Sequence, residues 1–315
     1  MCISLFLISL FTFVELNCEN LFDCVHDSLK NDYEFLPQSE RSWTKDKFWR
    51  KINNISRELI SCGENTESSD WRLPDMMALC EIENDSVMLD LTKRSLLRNA
   101  GYEYVVTNSA DARGIDVALA YLPMSFSLIN YISFRLPPMS GMRATRDILY
   151  ASGIVSDGDT LHIYVVHAPS RVGGEAKSRP HRMHMARTLC RAIDSLRVIS
   201  PNANIIVAGD FNDYFTDSAV VKVCADESLI NISCKAKGRN GALATYRYKG
   251  EWNSLDQILL SSGLYKKVNS CKINDASFLL EDDKKYGGVI PKRTFKGYRF
   301  NNGYSDHLPL VLQFN

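Results

Sequence analysis

The chain has 315 residues, 45% hydrophobic and 23% charged, the composition of a folded protein with a sizeable core and not of a disordered tract. Lysine plus arginine equals aspartate plus glutamate at 37 each, so no global basic field marks a nucleic-acid binder, although a local patch or a bound cation can supply that charge. Nine cysteines, an odd number without a C-x-x-C pair, argue against a disulfide framework or a zinc site and favour reduced thiols in a cytoplasmic setting.

Residues 1–10 form an apolar extension. The stretch Cys2–Leu16 resembles a signal-peptide core, which leaves export to the periplasm or outside as an alternative. It has no basic start and no clear cleavage site, and it is too short for stable membrane insertion. A length of 315 residues divides naively into two domains, but no Pro-, Gly- or Ser-rich linker or charge block separates halves. The expectation is one domain over 11–315, acting as a monomer.

In chain order, Leu10–Leu16 reads as a strand, and Phe48, Ile52, Ile55 and Leu59 share one face of a helix near 44–61. A strand follows at Met76–Cys80, then a helix near 85–99 with Val87, Leu91 and Leu96 inward. Branched and aromatic residues mark further strands at Tyr104–Thr107, Val117–Leu122, Phe126–Phe134, Ile148–Val155 and Leu161–Val166. Leu189, Ile193 and Leu196 place a helix near 181–198. Ile205–Ala208, Gln257–Leu260 and Pro309–Phe314 complete the strands. Runs as apolar as Ile205–Ala208 need cover on both faces, which favours an α/β four-layered sandwich: two packed mixed sheets flanked by helices.

Four of these strands end in a polar residue able to bind a metal or carry a proton. Asn17, Glu81, His167 and Asp210 close the first, second, seventh and eighth runs, and Phe211 and Asn212 follow Asp210. Strand ends carry scaffolded sites, and oxygen ligands of this type suit Mg²⁺ or Mn²⁺, with Ca²⁺ also compatible. His167 and His307 can move protons near neutral pH. Each residue alone has a plainer explanation as a turn former or a solvated side chain; their joint occurrence is harder to dismiss. No P-loop, G-x-S-x-G or H-E-x-x-H motif competes.

Six segments, in order, then carry a resemblance. Asn17–Cys18–Glu19–Asn20–Leu21–Phe22–Asp23, Leu79–Cys80–Glu81–Ile82–Glu83–Asn84, His167–Ala168–Pro169–Ser170, Gly209–Asp210–Phe211–Asn212, Leu255–Asp256–Gln257–Ile258 and Ser305–Asp306–His307 resemble the motifs of the endonuclease/exonuclease/phosphatase superfamily, typified by deoxyribonuclease I. The resemblance implies divalent-metal-dependent hydrolysis of phosphate esters. It implies that Glu81 binds the metal, with Asn17 orienting the metal or the phosphate and Asp306 in the same cation network. Asp210 would hold or deprotonate water, Asn212 would touch a phosphoryl oxygen, and His307, oriented by Asp256, would stabilise charge or move a proton. His167 matches the deoxyribonuclease-type histidine. Arg146 resembles a phosphate-contacting arginine, with a surface salt bridge as its alternative, and Asp116 a carboxylate partner of His167, with a turn aspartate as its alternative.

Residues 284–304 hold six Lys and Arg, five Phe and Tyr and no acid just before Ser305–Asp306–His307. Such a loop suits a phosphate backbone with stacked bases, if its aromatics do not instead pack on the core. A second basic cluster, Arg171, Lys177, Arg179 and Arg182, follows His167. The leading expectation is therefore a phosphodiesterase or nuclease. The alternatives are a phosphatase or phospholipase on a small or lipid phosphoester, and an inactive binding protein on the same scaffold.

Overall fold

Period-two alternation of apolar side chains builds the molecule as two sheets pressed face to face. The computed structural model describes residues 10–64 and 71–315, so the apolar extension lies, apart from Leu10, outside the described residues. Its main strands are β1 (Phe11–Leu21), β2 (Met76–Ile82), β3 (Glu103–Val106), β4 (Asp116–Tyr121), β5 (Phe126–Phe134), β6 (Ile148–Val155), β7 (Thr160–His167), β8 (Asn204–Asp210), β9 (Ile230–Asn231), β10 (Asp256–Leu260), β11 (Val268–Ile273) and β12 (Leu310–Phe314). One sheet runs β11-β12-β1-β2-β4-β3, the other β5-β6-β7-β8-β10-β9. Each is antiparallel except for one central parallel pair, β1 with β2 and β7 with β8. Those four strands therefore end at matching edges of their sheets.

Helix α1 (Lys45–Ser61) covers the first sheet, burying Phe48, Ile52, Ile55 and Leu59 against Leu16, Met77 and Leu79. Helices α3 (Glu175–Ile199) and α4 (Ser218–Asp226) cover the second, with Leu189, Ile193 and Val220 packed on Ile205 and Val207. Between the sheets lie Phe13, Ala78, Leu119, Ile163, Ala208, Ile258 and Leu312. The chain is thus the four-layered α/β sandwich expected.

Two helices depart from their expected limits. The helix near 85–99 is α2 (Asp85–Leu89) followed by one wide turn at Asp90–Arg94. It stops at Ser95, whose backbone turns extended and whose hydroxyl accepts from Ser56 Oγ at 2.8 Å and from Leu97 N. Leu97, not Leu96, is then the buried residue. Helix α3 starts before residue 181 and contains Pro180. The lost donor falls near its start, and the buried Arg182, paired with Asp213 and bonded to Ser178, pins that turn.

The outer margin of the second sheet is β5. Ile129, Tyr131 and Ile132 on it are exposed, and no charged residue occurs from 122 to 134.

Candidate active site

Strand register gathers the first part of the site. Parallel pairing sets His167 beside Asp210, and antiparallel pairing sets Asp210 beside Asp256, so three polar side chains form one row at the edge of the second sheet. Each continues an inward apolar face: Ile163 and Val165 lead to His167, Ile206 and Ala208 to Asp210, and Ile258 lies next inward from Asp256. On the first sheet, Phe11 and Phe13 lead to Asn17 in the same way. The row needs Gly209, because at φ +141° a Cβ there would lie 1.9 Å from the Val166 carbonyl oxygen.

Glu81 reaches the same cleft by breaking alternation. After Met76, Ala78 and Cys80 on the inward face, residue 81 should turn toward the helices. Its left-handed backbone (φ +62°) and the register shift between Cys80 and Ile82 turn it into the cleft instead. A second bulge, with Glu19 and Asn20 left-handed, brings the Asn20 amide to Glu81 Oε2 at 2.7 Å and the Glu19 amide to Asn17 Oδ1 at 3.0 Å.

A hydrogen-bond network fixes the side chains. Asp210 Oδ2 accepts from Asn17 Nδ2 at 3.1 Å and Asn212 Nδ2 at 3.3 Å, and its Oδ1 accepts from the Asn212 amide at 2.7 Å. His307 Nδ1 lies 2.7 Å from Asp256 Oδ2, which also accepts from the Thr245 hydroxyl. His167 Nε2 stands 3.6 Å from Asp210 Oδ2 and 3.8 Å from Glu81 Oε1, while its buried Nδ1 has no partner among the described residues. One ligand atom from each of Asp210, Asp256 and His307 falls within 4.8 Å of the others.

Electrostatics separate the two histidines. Burial disfavours the His307 cation, but Asp256, by charge and hydrogen bond, with Asp306 and Asp210, outweighs it and raises the pKa well above the usual value. His167 is held well below it by burial and by Arg146, Arg113 and His307. The first is thus driven toward the charged form and the second toward the neutral ring. Asp210 is pushed up to about 7 by burial and by Asp256, against the pull of His307 and the Asn212 amide. Below the site Glu15 is fully buried, both carboxyl oxygens lacking partners, and burial with Asp256 and Asp210 raises its pKa well above the usual value.

These side chains line an open cavity of about 520 Å³. Asn17, Glu81, His167, Asp210, Asn212, Asp306 and His307 all reach its wall, and Asp256 stands directly behind His307. A smaller cavity of about 370 Å³ on the outer face of α1 contains none of them.

Arg146 and Asp116 do not join the site. Arg146 is buried behind it, donating to the carbonyls of His167 (3.2 Å) and Ala168 (2.5 Å) and paired with Asp111 at 3.2 Å, so its guanidinium braces the loop after β7 and is not in the cleft wall where a phosphate would sit. Asp116 Oδ1 accepts from the Thr107 hydroxyl and the Ser109 amide, which ties it to its own loop and leaves His167 Nδ1 unpaired.

The segment 284–304 follows the second of its two readings, with none of its residues in the cleft wall. Phe295 and Phe300 pack on Trp43, and Tyr304 on the inter-sheet core, because burying these rings removes more apolar surface than a solvated loop does. Only Arg293 comes near, bridging Glu19 (3.1 Å) and Asp306 (2.8 Å). The cations in the cleft are Arg113 and Arg171. Arg171 is engaged by Asp213, Asp217 and the Asn212 carbonyl, and stacks on Tyr214. Arg113 is half exposed, with Asp111 4.0 Å away. Neither Arg113 nor the cleft residues Tyr214, Tyr246, Tyr248 and Asn253 ends an apolar strand, so no pattern singled them out.

The profile of the Endonuclease/Exonuclease/phosphatase family matches residues 12–315. No curated protein sequence matches the chain. Among solved structures, an endonuclease/exonuclease/phosphatase family protein from Bacteroides thetaiotaomicron superposes with a TM-score of 0.63 at 15% identity, covering 98% of each chain. The mannosyl-6-phosphatase of the same organism gives 0.62 at 15% identity over 96% of this chain and 98% of its own. Truncated TDP2 of Caenorhabditis elegans gives 0.59 at 14% identity over 97% of each. At such identities the likeness speaks for the fold.

Proposed function

This chain belongs to the endonuclease/exonuclease/phosphatase family, and from that premise we propose that it hydrolyses phosphate esters, phosphodiesters foremost, by attack of water in the 520 Å³ cleft with the help of a divalent cation. The observation that carries the reading is the convergence, from both sheets, of Asp210, the Asp256–His307 pair, His167 and Glu81.

The donor set fits a hard cation. Among the described residues Glu81 Oε1 takes no hydrogen bond, Asp306 spends one oxygen on Arg293, and Asn17 adds an amide oxygen, so these three would hold Mg²⁺ or Mn²⁺. Such an ion would neutralise charge on the non-bridging and leaving oxygens. Asp210, with a pKa near neutrality and two asparagine amides holding its carboxylate, takes the proton of the attacking water as its oxygen bonds to phosphorus. The bond to the leaving oxygen breaks, and His307, kept protonated by Asp256, gives that oxygen a proton. His167, neutral and buried, presents Nε2 to Asp210 and Glu81.

Bis(4-nitrophenyl) phosphate assayed with Mg²⁺ or Mn²⁺ tests the reading. Turnover should vanish with EDTA and fall at least about 100-fold in Glu81→Ala; turnover that survives both, or no turnover at all on a broad phosphoester panel, ends it. The last outcome together with retained Mg²⁺ binding would identify a binding protein on this scaffold.

A second reading, hydrolysis of a small or lipid phosphomonoester, is favoured by one observation. The basic aromatic segment 284–304 lends Phe295, Phe300 and Tyr304 to the core and no residue to the cleft wall, so the cleft lacks the rim a nucleic-acid backbone would follow. Nucleotides, inositol phosphates and sphingomyelin assayed beside plasmid and single-stranded DNA separate the two.

A further inference from the structure

We propose that a second cavity, joined to the catalytic cleft through Tyr214 and Asn253, seats a planar aromatic group of the substrate, such as a nucleobase or an aryl ring. The proposal rests on the phosphoester reading of the cleft and names the class of ester it selects.

The cavity is about 520 Å³, equal in size to the cleft, and the two share Tyr214 and Asn253, whose side chains are hydrogen-bonded to each other. Thr245 is also in its wall, and the Thr245 hydroxyl donates to Asp256. The second cavity thus opens beside the Asp256–His307 pair and not at a remote face.

Their linings differ in kind. The cleft is walled by acids, amides, histidines and arginines, a setting for a charged phosphate. The second cavity is walled by Phe215, Trp252 and Leu243, with Ala244, Ile273 and Leu310 at its floor. Phe215 and Leu243 are 45% and 60% exposed, so apolar surface stands open next to a polar cleft, where a ligand would cover it.

Trp252 is already fixed. The Arg247 guanidinium sits 5.6 Å from its ring centre and is itself anchored by the carbonyls of Val289 (2.5 Å) and Gly287 (2.8 Å). Held by a cation and packed against the core, this ring is a rigid aromatic wall of the cavity. At the rim, the Ser254 hydroxyl and the Glu251 carboxylate have no hydrogen-bond partner among the described residues. Apolar faces with a few polar groups at the edge suit a flat heteroaromatic or aryl ring better than a sugar or an alkyl chain.

Adenosine 5′-monophosphate and ribose 5-phosphate make the test pair, since they share the phosphate and sugar and differ by the base. Both are titrated by calorimetry, with Mg²⁺, into the His307→Ala protein, which does not consume them. The nucleotide should bind at least about tenfold tighter. Trp252→Ala, and independently the exposed-site variants Phe215→Ser and Leu243→Ser, should bring that ratio below about threefold. Equal affinities in the parent protein, or a ratio untouched by all three variants, overturn the proposal. If the ratio behaves as expected but the wild-type enzyme hydrolyses neither these esters nor bis(4-nitrophenyl) phosphate, the hydrolase reading fails and the aromatic seat stands. If that diester is hydrolysed and the ratio is flat, the aromatic seat alone fails.

Discussion

Asp256 drives His307 toward its charged form. The carboxylate touches Nδ1 at 2.7 Å, fixes the ring orientation, and raises the pKa against the opposing effect of burial. Asp256→Asn should lower kcat by about 10²–10⁴-fold on any phosphoester the enzyme accepts, and NMR titration should show the His307 pKa falling. An unchanged imidazole titration with a lost rate would mean that Asp256 acts by some other route. A second residue, remote from the cleft wall, carries a pH signature. Glu58 on α1 is fully buried, neither oxygen has a hydrogen-bond partner among the described residues, and burial, opposed by Lys51, pushes it up to about 8. Its folded pKa exceeds the unfolded one, so the folded state holds the extra proton between them. This contribution is whole below the unfolded value and is lost as pH climbs through about 8. Glu58→Gln cannot ionise, so its Tm advantage over wild type should be small at about pH 5 and grow toward about pH 9. An advantage independent of pH would show that Glu58 is not the titrating group.

At the element scale, α3 is docked by one buried ion pair. Arg182 and Asp213 are both fully buried, and the same arginine bonds Ser178 one turn earlier. Arg182→Met should cost about 3 kcal/mol in denaturant unfolding, because it leaves the buried Asp213 carboxylate only Arg171, at 3.4 Å, whereas adding Asp213→Leu should restore part of that loss. A double variant no more stable than the single one would assign the cost to lost packing. The elements also show what the sequence could and could not convey. Asn17, Glu81, His167 and Asp210 were legible because each stops an apolar run, and strand pairing then brings such ends together. The α1 face was legible because Phe48, Ile52, Ile55 and Leu59 recur at helical spacing. Strand β11 was not, since Val268–Ile273 mixes polar and apolar residues without alternation. Nor was the bonding of Arg146, which depends on carbonyls twenty residues away that no local pattern announces. The fate of 284–304 was decided by Trp43, far off in sequence.

At the scale of the whole molecule, the cleft belongs to neither sheet alone. Asn17 and Glu81 come from one, His167, Asp210 and Asp256 from the other, and the inter-sheet core joins them. The chain should therefore unfold as one unit, with catalytic activity, tryptophan fluorescence and far-ultraviolet circular dichroism lost at one midpoint. Separated midpoints would divide it into two folding units. The outermost strand has a further consequence. β5 offers an unpaired backbone edge and uncovered Ile129, Tyr131 and Ile132, with no charged residue from 122 to 134 to repel a newcomer. When the protein is concentrated, this border is where chains would begin to zip into fibrils, well before the core loosens. A lysine at Ile129 should raise the solubility ceiling while thermal unfolding and turnover stay as they were, and an unaltered ceiling would point to some other seam.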